Sequence, residues 1–340
     1  MDIALIGFGY VGHGFAALLQ AKLATLQTEY NLTPRLVAVA TGSRGTLIDP
    51  NGLDLQTLLK IGQRGSFAAY PDGPTLQRDW DSTQIAAEST AQVLVEAGPT
   101  NLETAQPALS IVEAALTSGK HVILANKGPV ALAYEDLQAK AAAADVLLRL
   151  EATVMAGTPV IRMGTQHLAG AQITAARGIL NGTTNYMLGL MEAGQSYLNA
   201  LRDAQAKGYA ETDPSGDVDG WDAAGKLLIL SAAVFGRSIR MDDIDVTGIS
   251  GLDGDTVYAA AAGGKHYKLI ATVTPDGASV APVGLPGSDP LAGVMGANNA
   301  LTYVTDVLGD VTVVGPGAGP QATAFGLLSD LLEIHQVSQS

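Results

Sequence analysis

Residues 2–12 read Asp2-Ile3-Ala4-Leu5-Ile6-Gly7-Phe8-Gly9-Tyr10-Val11-Gly12, and this stretch decides the fold. Five residues of mostly apolar character make a strand, three glycines spaced G-x-G-x-x-G make a turn, and a helical pattern follows to about Leu26. A second apolar run spans Leu36 to Ala40. Strand, glycine turn, helix and strand, in that order, are what a dinucleotide-binding unit requires. Gly7 permits the tight turn, Gly9 lets backbone approach a pyrophosphate, and Gly12 lets the helix pack on the strand. Tyr10 and Val11 open the helix, whose free N–H groups and partial positive charge suit phosphate. An ordinary glycine-rich turn is the bland alternative, but its position between strand and helix favours the cofactor reading. The expected fold is therefore α/β, with an N-terminal Rossmann-type parallel sheet.

After the second strand the chain reads Thr41-Gly42-Ser43-Arg44. An NAD-preferring site usually carries Asp or Glu there, for the ribose 2′-hydroxyl. None is present, and Arg44 can pair with a 2′-phosphate. This favours NADP, with NAD use left open and an exposed loop arginine as the plain alternative. Residues 45–90 carry helical patches and no clear chemistry. Ala91–Glu96 reads as a buried strand followed by a polar turn at Thr100. Ala105–Gly119 reads as a helix, His121–Ala125 as a strand and Tyr134–Ala144 as a helix. Lys127 then sits at a strand's C-terminal end, where open parallel sheets bind ligands. Its alternative is a solvated lysine at a helix start.

Beyond residue 150 the character changes. Residues 151–159 read as a strand entering a tight loop, with a helix started by Pro159. A strand at 173–180, a capped turn at Asn181-Gly182-Thr183-Thr184, and helices at 185–193 and 195–207 follow. Lys207–Lys226 reads KGYAETDPSGDVDGWDAAGK. Carboxylates this dense on a Gly- and Pro-broken loop do not build a core. A helix expected from Asp219 to Phe235 would align Asp219, Asp222 and Lys226 on one face. Such a lysine among carboxylates suits the ammonium and hydroxyl of an amino acid. A solvated acidic loop is the alternative. Later strands (267–273, 278–283, 301–306, 311–314), a second glycine turn at 315–319 and a terminal helix at 322–335 complete the chain. The expected division is a nucleotide-binding domain at 1–135, with the helix of 318–338 packing back on it, and an α+β catalytic and dimerisation domain at 136–317.

Composition narrows the function classes. The chain has 340 residues, no cysteine, 47% hydrophobic residues and a net charge of −14. The charge argues against nonspecific nucleic-acid binding. No apolar run approaches the ~20 residues of a bilayer span, and the N-terminus shows no signal-peptide pattern. The absence of cysteine fits a reducing cytoplasm and removes thiolate chemistry. The five histidines, His13, His121, His167, His266 and His335, show no metal-ligand spacing.

Six segments in order carry a family resemblance: IGFGYVG from Ile6, LANKGPVAL from Leu124, EATVMAGTPVI from Glu151, GILNGTTNYML from Gly178, the acidic stretch continued to Leu230, and GPGAGPQATAFGLLSDLL from Gly315. Together they resemble homoserine dehydrogenase from Met1 to about Ile334, in a short form without a C-terminal regulatory ACT domain. The resemblance implies a reversible, nicotinamide-dependent oxidation of L-homoserine to L-aspartate 4-semialdehyde, on the way to threonine, methionine and isoleucine. It makes Lys226 the proton donor and acceptor, and Lys127 a lysine near nicotinamide and substrate. It makes Glu211, Asp222 and Asp217 substrate residues, and adds Thr100, Gly208 and Gly319 to the cofactor site. It implies a monovalent-cation site, for Na⁺, at Glu151, Val154, Ala156 and Thr158, and a cytoplasmic homodimer. Two rivals stand beside it: an aspartate- or diaminopimelate-type dehydrogenase on the same scaffold, and a noncatalytic NADP-binding protein.

Overall fold

The computed structural model describes residues 1–339. The chain divides into two compact units, Met1–Gly157 with the segment from Gly319 onward, and Thr158–Ala318.

The first unit begins with β1 (Asp2–Ile6), α1 (Tyr10–Tyr30), β2 (Arg35–Thr41), β3 (Gly45–Ile48), α2 (Leu55–Ile61), α3 (Ser82–Glu88) and β4 (Val93–Glu96). It continues with α4 (Ala108–Thr117), β5 (His121–Leu124), α5 (Lys127–Ala143) and β6 (Leu148–Arg149). The sheet order is β3-β2-β1-β4-β5-β6. Only the β2–β3 hairpin is antiparallel. The sheet therefore reverses direction of growth between β1 and β4, the crevice where such sheets hold nucleotides. Helix α1 buries Gly12, Phe15, Ala16, Leu19 and Leu26, one stripe of a 3.6-residue period. That stripe joins Ile3, Leu5, Val93, Val95 and Ile123 of the sheet and Leu327, Leu331 and Ile334 of the terminal helix Pro320–Gln339. Each such aliphatic side chain contributes about 1.5–3 kcal/mol by leaving water.

The unit runs past the expected boundary at 135. Residue 135 lies inside α5, which starts at Lys127 and continues through one non-helical residue, Ala133. Strand β6 then extends the same sheet, pairing Leu148 with Val122. The turn after it is tied to the terminal helix, where Glu151 N–H donates to Asp330 Oδ2 at 3.0 Å. The expected strand through residues 151–154 is instead a 3-10 turn at Glu151–Thr153, leading to Met155 and Ala156 in the left-handed region.

The second unit contains β7 (Ile173–Ile179), α6 (Gly182–Glu192), α7 (Tyr197–Ala206), α8 (Ser215–Val218), α9 (Trp221–Phe235), β8 (Ile244–Val246) and α10 (Gly254–Ala262). It ends with β9 (Lys265–Val273), β10 (Ala278–Pro286), β11 (Asn298–Thr305) and β12 (Gly309–Pro316). Its sheet runs β12-β11-β7-β9-β10-β8 and is antiparallel except for β8 with β10. Helices α6 and α9 pack on β9. Helix α9 is apolar nearly all round and buries every residue from Ala223 to Ala232, as a central helix must. Beneath α6, the buried Lys268 Nζ donates to Asn185 Oδ1 and Val294 O. Asn185 Nδ2 in turn reaches the carbonyls of Val294, Gly296 and Asn298.

The glycine turn is under the tightest steric constraint in the first unit. Gly7 has φ +92°, and a Cβ there would lie 2.5 Å from the carbonyl oxygen of Ala97. A Cβ on Gly12 would lie 2.0 Å from the carbonyl oxygen of Gly7. Gly7→Ala is expected to destabilise the first unit by about 2 kcal/mol or more, read as a lower denaturant midpoint, and to abolish binding in a nicotinamide-cofactor titration. An unchanged midpoint with normal binding contradicts this account of the turn.

Candidate active site

At the nucleotide end, Gly9 caps α1 without any side-chain hydrogen bond, so the first N–H groups of this long helix have no side-chain acceptor. A Cβ on Gly9 would meet nothing within 4 Å, which leaves room beside the turn for a phosphate. Arg44 follows β2 and turns inward. Its guanidinium donates to the Phe8 carbonyl and to Gly62 O at 3.0 Å, and lies over the rings of Phe67 and Phe8 at 5.0 and 5.6 Å. It therefore braces the glycine turn from behind, and the exposed-loop reading of this arginine is excluded.

The turn after β4 carries a residue that sequence reasoning missed. Glu96 is 2% exposed and ends the buried strand. Its Oε1 accepts from Gly98 N–H at 3.0 Å, while Oε2 has no hydrogen-bond partner among the described residues. Burial pushes this carboxyl up to about 7, against the lowering effect of the Gly98 and Asn126 hydrogen bonds. Asn126 caps α5 by accepting from Gly128 N–H, and its amide donates to Pro99 O at 2.9 Å. Lys127 N–H approaches Thr100 Oγ1 at 3.4 Å. Thr100 and Lys127 are thus held side by side at the C-terminal ends of β4 and β5. A lone acid closing an apolar strand, as in Val93-Leu94-Val95-Glu96, is the signal that could have exposed Glu96.

In the second unit the acidic stretch folds differently from the single helix expected. Residues Ser215–Val218 form a short helix, Gly220 takes φ +91°, and α9 begins at Trp221. A left-handed residue breaks the helical register, so Asp219 leaves the face of Asp222 and Lys226. Its carboxylate instead accepts from Ser250 Oγ. Asp217 lies beside Asp222, the two sharing the Asn181 amide. Lys226 is 7% exposed, and its ammonium donates to Asp222 Oδ2 at 2.6 Å and to the Leu180 carbonyl. Asn181 Nδ2 donates to Asp217 Oδ1 at 2.7 Å and to Asp222 Oδ2 at 3.1 Å. Burial raises the Asp217 carboxyl, the Asn181 bond opposes it, Asp222 raises it further, and Thr183 and Lys226 lower it. The solvated-loop reading fails here: a lysine this buried needs carboxylate and carbonyl partners. Glu211 is exposed and makes no hydrogen bond to this cluster through its side chain; its carbonyl accepts from Gln205. Gly208 ends the α7 region with φ +74°, and Gly319 precedes the terminal helix with φ +113°.

The four residues implied for a cation are buried or nearly so: Glu151 is 1% exposed, Val154 0%, Ala156 4% and Thr158 8%. Thr158 Oγ1 donates to the Pro316 carbonyl. Met155 and Ala156 both take the left-handed conformation, with φ +57° and +54°. Among the described residues no group of three or more His, Cys, Asp or Glu side chains could hold a metal ion.

The homoserine dehydrogenase family matches residues 159–332. An NAD(+)-dependent homoserine dehydrogenase of Pseudomonas canavaninivorans is 40% identical over 340 residues, covering 98% of this chain and 96% of that protein. The chain belongs to the homoserine dehydrogenase family. A homoserine dehydrogenase of Methanocaldococcus jannaschii is 39% identical, with 98% of both chains covered. The crystal structure of a putative homoserine dehydrogenase from Archaeoglobus fulgidus superposes with a TM-score of 0.87 at 33% identity, over 98% of this chain and 99% of that one. A hyperthermophilic archaeal homoserine dehydrogenase in complex with NADPH superposes at 0.83 and 27% identity, over 99% and 98%. These matches set aside the aspartate- and diaminopimelate-type rival and the noncatalytic one. Homoserine dehydrogenases are NAD(P)-dependent oxidoreductases acting on a CH–OH group, and the Rossmann-type first unit is the expected carrier for that cofactor.

Glu96 gives this homoserine dehydrogenase fold a pH signature. Its folded-state pKa, about 7, lies above the ordinary 4.5. Between those values the native state holds a proton that the unfolded state has lost, so this contribution to stability is complete at pH 4.5 and disappears as pH rises through 7. Glu96→Gln should remove that slope and gain on the order of 2–3 kcal/mol over the parent at pH 8. Urea melts of both proteins from pH 5 to 8 check this; parallel stability curves would refute it.

Proposed function

We propose that the chain oxidises L-homoserine reversibly to L-aspartate 4-semialdehyde, with Lys226 exchanging the proton of the substrate oxygen and Asp217, Asp222 and Glu211 receiving the ammonium. The oxidoreductase activity follows from the family. The observation supporting the residue roles is the buried Lys226 bonded to Asp222 beside Asp217.

A bound nicotinamide dinucleotide supplies hydride transfer. The chain's own groups do the rest. Asp222 and the Leu180 carbonyl both favour the ammonium form of Lys226. In aldehyde reduction the ammonium gives a proton to the developing alkoxide and becomes the neutral amine, and in homoserine oxidation the neutral amine takes the hydroxyl proton and becomes the ammonium. Lys127, fixed beside Thr100 at the nucleotide end, is a second positive group proposed for the cofactor and substrate. The carboxylates offer an amino acid's ammonium the charge-assisted bonds it needs.

For the cofactor, no carboxylate follows β2 to bind a ribose diol, and the Arg44 guanidinium is held there, which supports NADP with NAD also accepted. The monovalent cation is assigned to Glu151 and the carbonyls of Val154 and Ala156, with Thr158. Homodimerisation is supported by β12, an eight-residue edge strand with Val314 53% exposed. The cytoplasm is the assigned compartment, on the absence of cysteine in a biosynthetic enzyme family; among the described residues no helix is long and apolar enough to cross a membrane.

Two predictions follow from these roles. Lys226→Ala should lower kcat for homoserine by about 10²–10⁴-fold while cofactor affinity stays within about twofold; near-normal turnover in a folded variant removes Lys226 from the chemistry. Arg44→Ala should raise the KM for NADP by about tenfold or more, and the KM for NAD by much less, in homoserine assays followed by nicotinamide absorbance. Equal losses with both cofactors would reduce Arg44 to a brace for the turn.

A further inference from the structure

Asn181 stands at the centre of the acidic cluster, and no role in the reaction has been assigned to it above. It is 4% exposed and caps α6. Its Oδ1 accepts from Thr184 N–H at 2.9 Å, which fixes the orientation of the amide and turns its NH₂ group toward the acids. The two N–H bonds of that group are both used, one on Asp217 and one on Asp222. The two carboxylates come from different helices, α8 and α9, separated by the left-handed Gly220. A helix break therefore lies between them, and the Asn181 amide bonds to both.

We propose that Asn181 is a positioning residue for the reaction, whose side-chain amide ties Asp217 to Asp222 and so sets the distance between the carboxylates that grip the substrate ammonium. This rests on the reading of the cluster as the substrate site. The chemistry explains the residue type. A lysine or arginine at 181 would neutralise the pair and compete with the substrate's own cation. An aspartate would add a third negative charge. A serine offers one donor on a shorter arm. Asparagine is neutral and donates twice while its oxygen caps the helix.

The groups facing Asp217 are Asn181 and Thr183 from the α6 end, and Asp222 and Lys226 from α9. Asp222 repels, Lys226 attracts, and the two side-chain hydrogen bonds favour the carboxylate. Removing the Asn181 donor leaves burial and Asp222 less opposed, so Asp217 takes up a proton at higher pH and its grip on an ammonium fails earlier on acidification.

Asn181→Ser and Asn181→Asp separate this role from helix capping, because both side chains cap well. Both variants should remain folded, with melting temperatures close to the parent's. Asn181→Ser should lower kcat/KM for homoserine by about tenfold or more, chiefly through KM, with the KM for the cofactor unchanged. The acidic limb of its pH profile should move to higher pH. Asn181→Asp should be the more damaging at pH 8, where it adds a charge. Carboxyl ¹³C NMR of Asp217 supplies a readout independent of turnover: its midpoint should rise in Asn181→Ser. Unchanged homoserine KM, acidic limb and Asp217 midpoint in folded variants would overturn the proposal. Should the parent itself fail to oxidise homoserine, the assignment of substrate fails, and the Asp217 midpoint alone still decides whether Asn181 controls the pair.

Discussion

A lysine buried inside an apolar helix imposes the constraint around which the second unit is arranged. Lys226 lies in the middle of α9, flanked by Gly225 and Leu227, and has 7% of its surface in water. An ammonium removed from water to that extent must meet carboxylate and carbonyl oxygens, or the unit loses several kcal/mol. One turn earlier on the same helix, Asp222 supplies the charge, and the end of β7 supplies the Leu180 carbonyl. The charge is therefore compensated but remains at the rim of the core, where Asp222 and Asp217 are only partly covered. Another buried lysine is compensated differently. Lys268, at 1% exposure, is satisfied by an amide and a carbonyl, and burial pulls its pKa down.

The first unit answers a different constraint, the close approach of two turns. The backbone of Gly7 passes close to Ala97, leaving no room for a Cβ between them. Behind them, Arg44 holds the Phe8 carbonyl on one side and Glu96 holds Gly98 on the other. The glycine turn and the turn that leads to Thr100 are therefore braced against each other through backbone contacts. Such preorganisation lowers the ordering cost of binding.

The first unit was largely legible in the sequence because its decisive features are local. The glycine spacing, the apolar β1 and the α1 stripe each lie within a few residues of one another. Residues 45–90 resisted reading because β3 is a short hairpin strand and α2 and α3 have seven residues each, too short for a periodic pattern. The candidate site was half legible. Asp222 and Lys226 are i and i+4 on one helix, so their pairing shows in sequence. Asp219 was read onto that helix because nothing in the letters says that Gly220 will turn left-handed. Asp217 and Asn181 meet across 36 residues, a proximity that only tertiary structure creates. Glu96 was overlooked because a single acid at a strand's end looks like a solvent-facing stop until the strand is known to be central.

Asn181 caps α6 and Asn185 lies in its first turn, four positions on, and each is committed to a different neighbourhood. Asn181 reaches the carboxylates, and Asn185 gathers the carbonyls of Val294, Gly296 and Asn298 over Lys268. A deletion or insertion of one residue between them would swing one asparagine about 100° around the helix axis relative to the other. No compensating substitution elsewhere restores both contacts at once. A change of length between Asn181 and Asn185 therefore takes the amide away from one of the two neighbourhoods, a coupling that substitution of either asparagine alone does not produce.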